Sequence, residues 1–164
     1  LPAERTYRVC EQQRRFLASA EAQLDQRVAK KHVVEGHGDL RPEHVCLTEK
    51  PVVIDCLEFK RQFRILDAAD ELAYLAMECE RLGAPWVVTT LFRTYRAVTG
   101  DAPSDELVHF YASFRAALRA KISIWHNRDH DIREPEKWVR KALDYLSFAE
   151  RHAAALTSRT TAGA

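Results

Sequence analysis

The chain has 164 residues, 46% hydrophobic and 30% charged, which fits one folded domain with a sizeable core. It carries 25 Lys plus Arg against 24 Asp plus Glu, a formal net charge of +1. This balance argues against a dedicated nucleic-acid or membrane-surface protein, because such proteins carry a basic excess. No apolar run approaches the roughly 20 residues of a spanning helix, and the first residues lack the order of a signal peptide, so we expect a cytoplasmic protein.

Apolar residues at helical spacing predict that helices dominate the chain. The predicted helices cover 4–29, 67–82, 88–98, 104–125 and 135–156. Pro135 is well placed to open the last of them, since proline is favoured in a first helical turn. Residues 157–164 are small and polar, and we expect this tail to fray.

Short β-prone runs interrupt the helical pattern only near the middle of the chain. Val45-Cys46-Leu47 and Val52-Val53-Ile54 flank a compact polar connection and predict a small β-hairpin. We therefore expect a mainly α fold, with about six helices around this hairpin and one unit over residues 1–156. The four cysteines are at least ten residues apart, which predicts reduced thiols rather than a C-x-x-C zinc or redox motif.

Two aspartates flank the predicted hairpin. Asp39 lies in the loop His37-Gly38-Asp39 before the first strand, and Asp55 directly follows the second strand. Because the hairpin is short, it can bring both carboxylates to one edge of the sheet. Two carboxylates so placed either divide the work, one taking a proton from a nucleophile while the other holds a hard cation, or both hold metal.

These residues resemble a known arrangement. Protein kinases and their relatives have H-R-D-x-x-x-x-N, followed by a magnesium-binding aspartate. His37-Gly38-Asp39 stands at the first motif, His44 at its asparagine, and Ile54-Asp55 at the metal position. The glycine after His37, and an I-D pair without Phe-Gly, are closer to the aminoglycoside phosphotransferase family. The stretch from Asp67 to Ala73 is similar to the D-x-x-x-D-L-A that opens that family's next helix.

The resemblance implies a kinase-like C-terminal lobe and a role for each matched residue. Asp39 would accept the proton of an acceptor hydroxyl or orient it for attack, and His37 would pin the loop. Asp55 would hold the Mg²⁺ that bridges the nucleotide phosphates, and Asp70 would hydrogen-bond backbone groups of the catalytic loop. The implied reaction moves the γ-phosphoryl group of ATP to a hydroxyl of a small molecule.

His44 departs from the family pattern, because it replaces the asparagine that helps hold a second magnesium. Magnesium prefers oxygen ligands, whereas imidazole suits zinc, copper, iron or nickel. We therefore expect either that His44 contacts a phosphate or hydroxyl, or that only one metal is held strongly. Glu58, three residues after Asp55, could supply a missing oxygen.

The chain shows no sign of a nucleotide lobe. A kinase needs a glycine-rich strand-turn-strand over the phosphates and a strand lysine paired with a helix glutamate. Here Gly36 and Gly38 lie in the catalytic loop itself, and Lys30 and Lys31 end a helix. We therefore expect this chain to correspond to the C-terminal lobe alone, to bind nucleotide with a missing N-terminal lobe, and to turn over ATP weakly or not at all in isolation.

Two hypotheses from other functional classes remain open. His37, Asp39, His44 and Asp55 are also a plausible nitrogen and oxygen ligand set for zinc or manganese, as in a metal-dependent hydrolase. Alternatively, the chain is a pseudokinase-type interaction module that binds a partner through the surface a nucleotide lobe would cover. Exposed apolar surface at that face could also pair two copies of the chain into a homodimer.

Overall fold

The computed structural model describes residues 1–126 and 134–156, so the predicted fraying tail lies outside the described residues. The described part is mainly helical, as predicted. Its α-helices are α1 (Ala3–Ser19), α2 (Glu21–Ala29), α3 (Ala68–Arg81), α4 (Trp86–Thr99), α5 (Asp105–Trp125) and α6 (Pro135–Ala155). Its strands are short: β1 (Val33–Glu35), β2 (Val45–Cys46), β3 (Val52–Val53) and β4 (Ile65–Asp67). Within these ranges, no helix combines the length and apolar character needed to cross a bilayer.

The helix predicted over 4–29 is broken at Ala20. The Ala20 N–H bonds to the Leu17 carbonyl at 3.3 Å, a tightened last turn, and α2 begins one residue later. Ser19 provides a local cause, since its hydroxyl bonds back to the carbonyls of Arg15 and Phe16. Such back-bonding competes with a regular helix. The apolar periodicity runs through this break, so the pattern alone predicted one helix.

The described residues form two compact units: residues 1–20 with 109–126 and 134–156, and residues 21–108. In the first unit, α1 packs against α6, and the Phe16 and Phe110 rings stack at 4.7 Å. Buried alanines such as Ala112, Ala116 and Ala149 have small side chains that permit close helix packing. The resulting core is helical and largely apolar.

In the second unit, α3 packs against α4 beside two antiparallel ribbons. The β2–β3 ribbon, with Val45 opposite Val53 and Cys46 opposite Val52, confirms the predicted hairpin, although each strand is one residue shorter. The β1–β4 ribbon pairs Val33 with Asp67, and no strand was predicted at 65–67. Because β1 leads into the 36–39 loop and β4 leads into α3, this second ribbon brings the loop and the start of α3 together.

A buried ion-pair network supports this arrangement. The Arg27 guanidinium donates to Asp67 at 2.6 and 2.7 Å and to Asp101 at 2.8 Å, and Tyr95 Oη donates to Asp101 at 2.8 Å. Asp67 also caps α3 by accepting from the Ala69 N–H. Burial alone would raise the pKa of Asp101, but the hydrogen bonds from Arg27 and Tyr95 outweigh it and lower that pKa. Arg27 thus holds α2, the start of α3 and Asp101 together.

Candidate active site

Two glycines shape the loop that carries Asp39. Gly38 has φ +84°, and a Cβ there would lie 2.9 Å from Leu57 Cδ1 and 3.0 Å from the Phe63 carbonyl oxygen. A Cβ on Gly36 would lie 2.7 Å from Glu71 Oε2. The left-handed backbone at Gly38 therefore favours glycine, and a side chain at Gly36 would have to displace the Glu71 carboxylate.

Glu71, in the first turn of α3, holds the backbone of this loop. Its buried carboxylate accepts hydrogen bonds from the backbone N–H of His37 and, at 3.0 and 3.1 Å, from that of Gly38. Glu71 thus performs the backbone role that the resemblance implied for Asp70. Asp70 is buried in the same turn, and its own contact with the loop stays a prediction. The sequence itself indicates Glu71, because the D-x-x-x-D-L-A spacing counted from Asp67 places the second acidic residue there.

Both carboxylate oxygens of Asp39 have partners within the second unit. Tyr74 Oη donates to Oδ1 at 2.9 Å, and Arg41 Nε donates to Oδ2 at 3.0 Å. The Asp39 side chain nevertheless stays 22% exposed. Sequence reasoning missed Tyr74 and Arg41. Tyr74 lies one helical turn after Glu71, so α3 presents both residues to the same loop.

His37 crosslinks the loop to the end of β3. Its Nε2 lies 2.7 Å from the Ile54 carbonyl oxygen, and its Nδ1 lies 3.3 Å from the Asp39 backbone N. A carbonyl only accepts and a backbone N–H only donates, so this pair of contacts fits the neutral tautomer with its proton on Nε2. The pinning role of His37 stays a prediction, and these are the contacts through which it would act. As a metal ligand, His37 would first have to give up one of them.

His44 lies between the two aspartates. Its Nδ1 lies 2.8 Å from the Asp39 carbonyl oxygen, and its Nε2 lies 3.3 Å from Asp55 Oδ2. Its ring is buried and stacks on the His37 ring at 5.4 Å. Because Nδ1 must carry a proton to bond to the carbonyl, neutral His44 has a lone pair on Nε2, and the Arg41 guanidinium lies 3.1 Å from that nitrogen. The loop and the ribbon thus meet at the His44 imidazole as well as at His37.

Asp55 projects from the ribbon with little support. Its backbone has φ +62°, a left-handed conformation uncommon outside glycine, and its side chain is 77% exposed. Its carboxylate is open to an added cation. Glu58 is also exposed, and within the described residues it makes no hydrogen bond or ion pair with Asp55 or His44. The same described ranges contain no group of three or more His, Cys, Asp or Glu side chains arranged to hold a metal ion.

Charged contacts fasten the segment after Asp55 to β1. Glu35 accepts from Arg61 at 3.0 Å and from Arg64 at 2.6 Å, and Arg64 also donates to the Leu57 carbonyl at 2.6 Å. The hydrogen bonds from Arg61 and Arg64 lower the pKa of Glu35. Since Glu35 directly precedes the 36–39 loop, these contacts set where the loop begins.

Three uncharacterized mycobacterial proteins are similar to this chain, one from Mycobacterium bovis and two from strains of Mycobacterium tuberculosis. Each is 34% identical over 108 residues, which cover 65% of this chain and 22% of the relative. The matched region of this chain thus spans about a fifth of the length of these relatives. No family model matches the chain, and no solved structure matches it.

Proposed function

We propose that this chain carries the catalytic-loop half of an ATP-dependent phosphotransferase, which moves the γ-phosphoryl group to a hydroxyl of a small molecule. One juxtaposition carries the proposal. Asp39 and Asp55 flank His44, whose two ring nitrogens lie 2.8 Å from the Asp39 carbonyl oxygen and 3.3 Å from the Asp55 carboxylate. Phosphoryl transfer asks a protein mainly for positioning and charge neutralisation, and a fixed carboxylate beside an open one meets both needs.

Asp39 suits the proton-accepting role. Tyr74 and Arg41 fix the direction of its carboxylate, while part of the side chain remains accessible. An acceptor hydroxyl that bonds to this carboxylate would be oriented for in-line attack and could pass its proton to it as the new bond forms. General-base catalysis of this kind contributes roughly 10²- to 10⁴-fold to a rate.

Asp55 suits magnesium. Mg²⁺ usually keeps several waters and takes one or two carboxylates plus substrate phosphates, so a single exposed carboxylate fits its needs. When bound, the ion would neutralise charge on the nucleotide phosphates. The Arg41 guanidinium, 3.1 Å from His44 Nε2, opposes a second cation at that nitrogen. We therefore favour one strongly held metal, with Arg41 supplying the second positive charge.

The resemblance to aminoglycoside phosphotransferases supports the same reaction, through H-G-D at residues 37–39 and I-D at residues 54–55. The proposal needs a nucleotide lobe in addition to this chain, so the isolated chain should transfer phosphate weakly or not at all. It also places the reaction in the cytoplasm, where ATP and Mg²⁺ are supplied.

A second candidate function is favoured by exposed apolar side chains near the site. Leu47 and Phe59 are 86% and 78% exposed, and Val52, Val53 and Phe63 are also exposed. Exposed apolar patches commonly mark interaction sites. The phosphotransferase proposal expects a nucleotide lobe to cover this face, whereas an interaction module, or a homodimer, would use it without catalysis. Light scattering on the isolated chain distinguishes a homodimer from a monomer, since only the homodimer has twice the mass of one chain.

The proposed reaction is tested with the full reading frame that contains this chain. Initial rates of transfer from radiolabelled ATP are measured against a panel of small hydroxyl compounds. We expect Asp39→Asn and Asp55→Asn each to lower the rate by at least about 100-fold. Glu49→Gln, an exposed charge in the hairpin turn, should leave the rate unchanged. Full rates in either aspartate variant, or ordinary turnover by the isolated chain, would contradict the proposal.

A further inference from the structure

The first unit contains a pocket of about 380 Å³ that the proposed reaction does not use. Its apolar walls come from α1, α5 and α6: Val9, Phe114, Ala117, Leu118, Ile124 and Leu146. Phe114 and Leu118 are 44% and 36% exposed despite their size. Pockets of roughly 300–1,000 Å³ with mainly apolar walls and a few polar groups are typical small-molecule sites. An apolar ligand body would therefore remove exposed hydrophobic surface from water.

Gln13 adds an oriented hydrogen-bond acceptor to the pocket wall. This side chain is only 9% exposed, and its Nε2 lies 2.9 Å from Ser113 Oγ. Ser113 Oγ donates its own proton to the Ala149 carbonyl at 2.9 Å, so it must accept from the Gln13 amide. The orientation of the Gln13 amide is thereby fixed. Its carbonyl oxygen, Oε1, takes no part in these two hydrogen bonds. A ligand that donates a hydrogen bond would satisfy it.

Lys121 brings a positive charge to the same pocket. Its Nζ lies 5.3 Å from the centroid of the exposed Trp125 ring on the next turn of α5. A long ammonium side chain on an otherwise apolar wall complements an anionic head group. We propose that this pocket binds an amphiphilic hydroxy acid, with its apolar body on the walls, its hydroxyl donating to Gln13 Oε1 and its carboxylate at the Lys121 ammonium.

The probe is 10-hydroxydecanoate, titrated below its micelle concentration into the 164-residue chain and followed by calorimetry. Decanoate lacks the hydroxyl donor and 1,10-decanediol lacks the charge, so each removes one proposed contact. We expect the hydroxy acid to bind one-to-one. Decanoate should bind about two- to tenfold more weakly, because it loses one hydrogen bond. The diol should bind about two- to fivefold more weakly, because it loses one exposed ion pair. Equal affinity for all three compounds would overturn the assigned ligand class.

Cys10 offers an independent readout, since this half-buried thiol lines the pocket while the other three cysteines do not. Bound hydroxy acid should slow alkylation of Cys10 and leave Cys46, Cys56 and Cys79 unchanged, as mass spectrometry of the peptides would show. Protection of all four thiols alike, or of none, would contradict the site.

Matched variants place the binding in the pocket. Ala117→Phe should place a phenyl ring in it and weaken binding, whereas Ala18→Phe, on the exposed face of α1, should not. Lys121→Met should bring the hydroxy acid and the diol to the same affinity, while Lys137→Met, on α6, should leave them different. Thermal unfolding of each variant verifies that it folds. Undiminished binding in folded Ala117→Phe would exclude this pocket.

Discussion

The loop that carries Asp39 and the ribbon end that carries Asp55 lie side by side, yet different forces hold them. Glu71 binds the loop backbone, and Tyr74 and Arg41 bind the Asp39 carboxylate. Asp55 follows a two-residue strand and is 77% exposed. The chain thus fixes the Asp39 carboxylate and leaves the Asp55 carboxylate open; in the proposed reaction these are the halves that would meet the acceptor hydroxyl and the metal.

The difference follows from which elements each half rests on. The loop rests on α3, whose first turn is capped by Asp67 and locked by Arg27. The ribbon end rests on His44, on the His37 contact with the Ile54 carbonyl, and on a pair of two-residue strands of which β3 has exposed side chains. Disturbing the support under α3 should therefore damage the Asp39 half first.

Removing the ion pairs that support the start of α3 should lower the free energy of unfolding the most. Arg27→Met leaves the carboxylates of Asp67 and Asp101 buried without their cation, which typically costs about 3–5 kcal/mol. Urea unfolding followed by circular dichroism measures this loss. Arg8→Met, which removes an exposed pair with Glu4, should cost less than about 1 kcal/mol. Equal losses in the two variants would refute the structural role of Arg27.

The same network predicts how stability depends on pH. The pKa of Asp101 is lowered in the folded protein, so its contribution is fully present above the unfolded-state pKa and is lost as pH falls through the lower, folded-state value. Stability of the wild type should therefore decline in acid, and the slope should be shallower in Arg27→Met. Unfolding at a series of acidic pH values compares the two slopes, and parallel curves would show that Arg27 does not set this pKa.

A smaller, more local loss is expected at Glu71. Glu71→Gln removes the charge that receives the loop's N–H groups, and hydrogen bonds to charged groups are worth about 1.5–3 kcal/mol. Amide hydrogen exchange should accelerate at Gly38 and leave Val53 in the ribbon little changed. Glu49→Gln serves as the control. If both sites accelerate equally in Glu71→Gln, the loop and the ribbon are not separately held.

We expect the smallest loss of stability when a hydrogen bond to the Asp39 carboxylate is removed. Tyr74→Phe removes one hydrogen bond to Asp39 Oδ1 and should cost about 0.5–1.5 kcal/mol of stability. In the full reading frame it should lower the transfer rate about tenfold or less, well short of Asp39→Asn. Tyr7→Phe, an exposed tyrosine on α1, should change neither quantity. A loss as large as that of Asp39→Asn would mean that Tyr74 does more than orient the carboxylate.

Much of this fold follows from local pattern. Helical spacing placed the helices, and two β-prone runs around a polar turn predicted β2–β3, because both signals lie within a few residues. β4 was missed because Ile65-Leu66-Asp67 is too short to stand out and pairs with β1 about thirty residues earlier. That pairing depends on tertiary structure, which periodicity does not report.

The residues of the candidate site likewise fall into two groups, those that local spacing predicts and those that only the folded structure brings together. Motif spacing found His37, Asp39, His44 and Asp55, and the structure brings these four residues together. The same spacing, counted strictly from Asp67, would have found Glu71. No motif could have found Tyr74 or Arg41, since their contacts with Asp39 arise only once α3 and the loop have folded.

Paramagnetic NMR with Mn²⁺ in place of Mg²⁺ tests most directly whether a metal held by Asp55 lies beside the loop that carries Asp39. Bound Mn²⁺ broadens the signals of nearby amides, and we predict that the signals of Asp55 and Asp39 broaden together at the same Mn²⁺ concentrations. Asp55→Asn should abolish both effects, and Glu49→Gln should preserve them. Broadening that spares the 36–39 loop, or that persists in Asp55→Asn, would contradict the account.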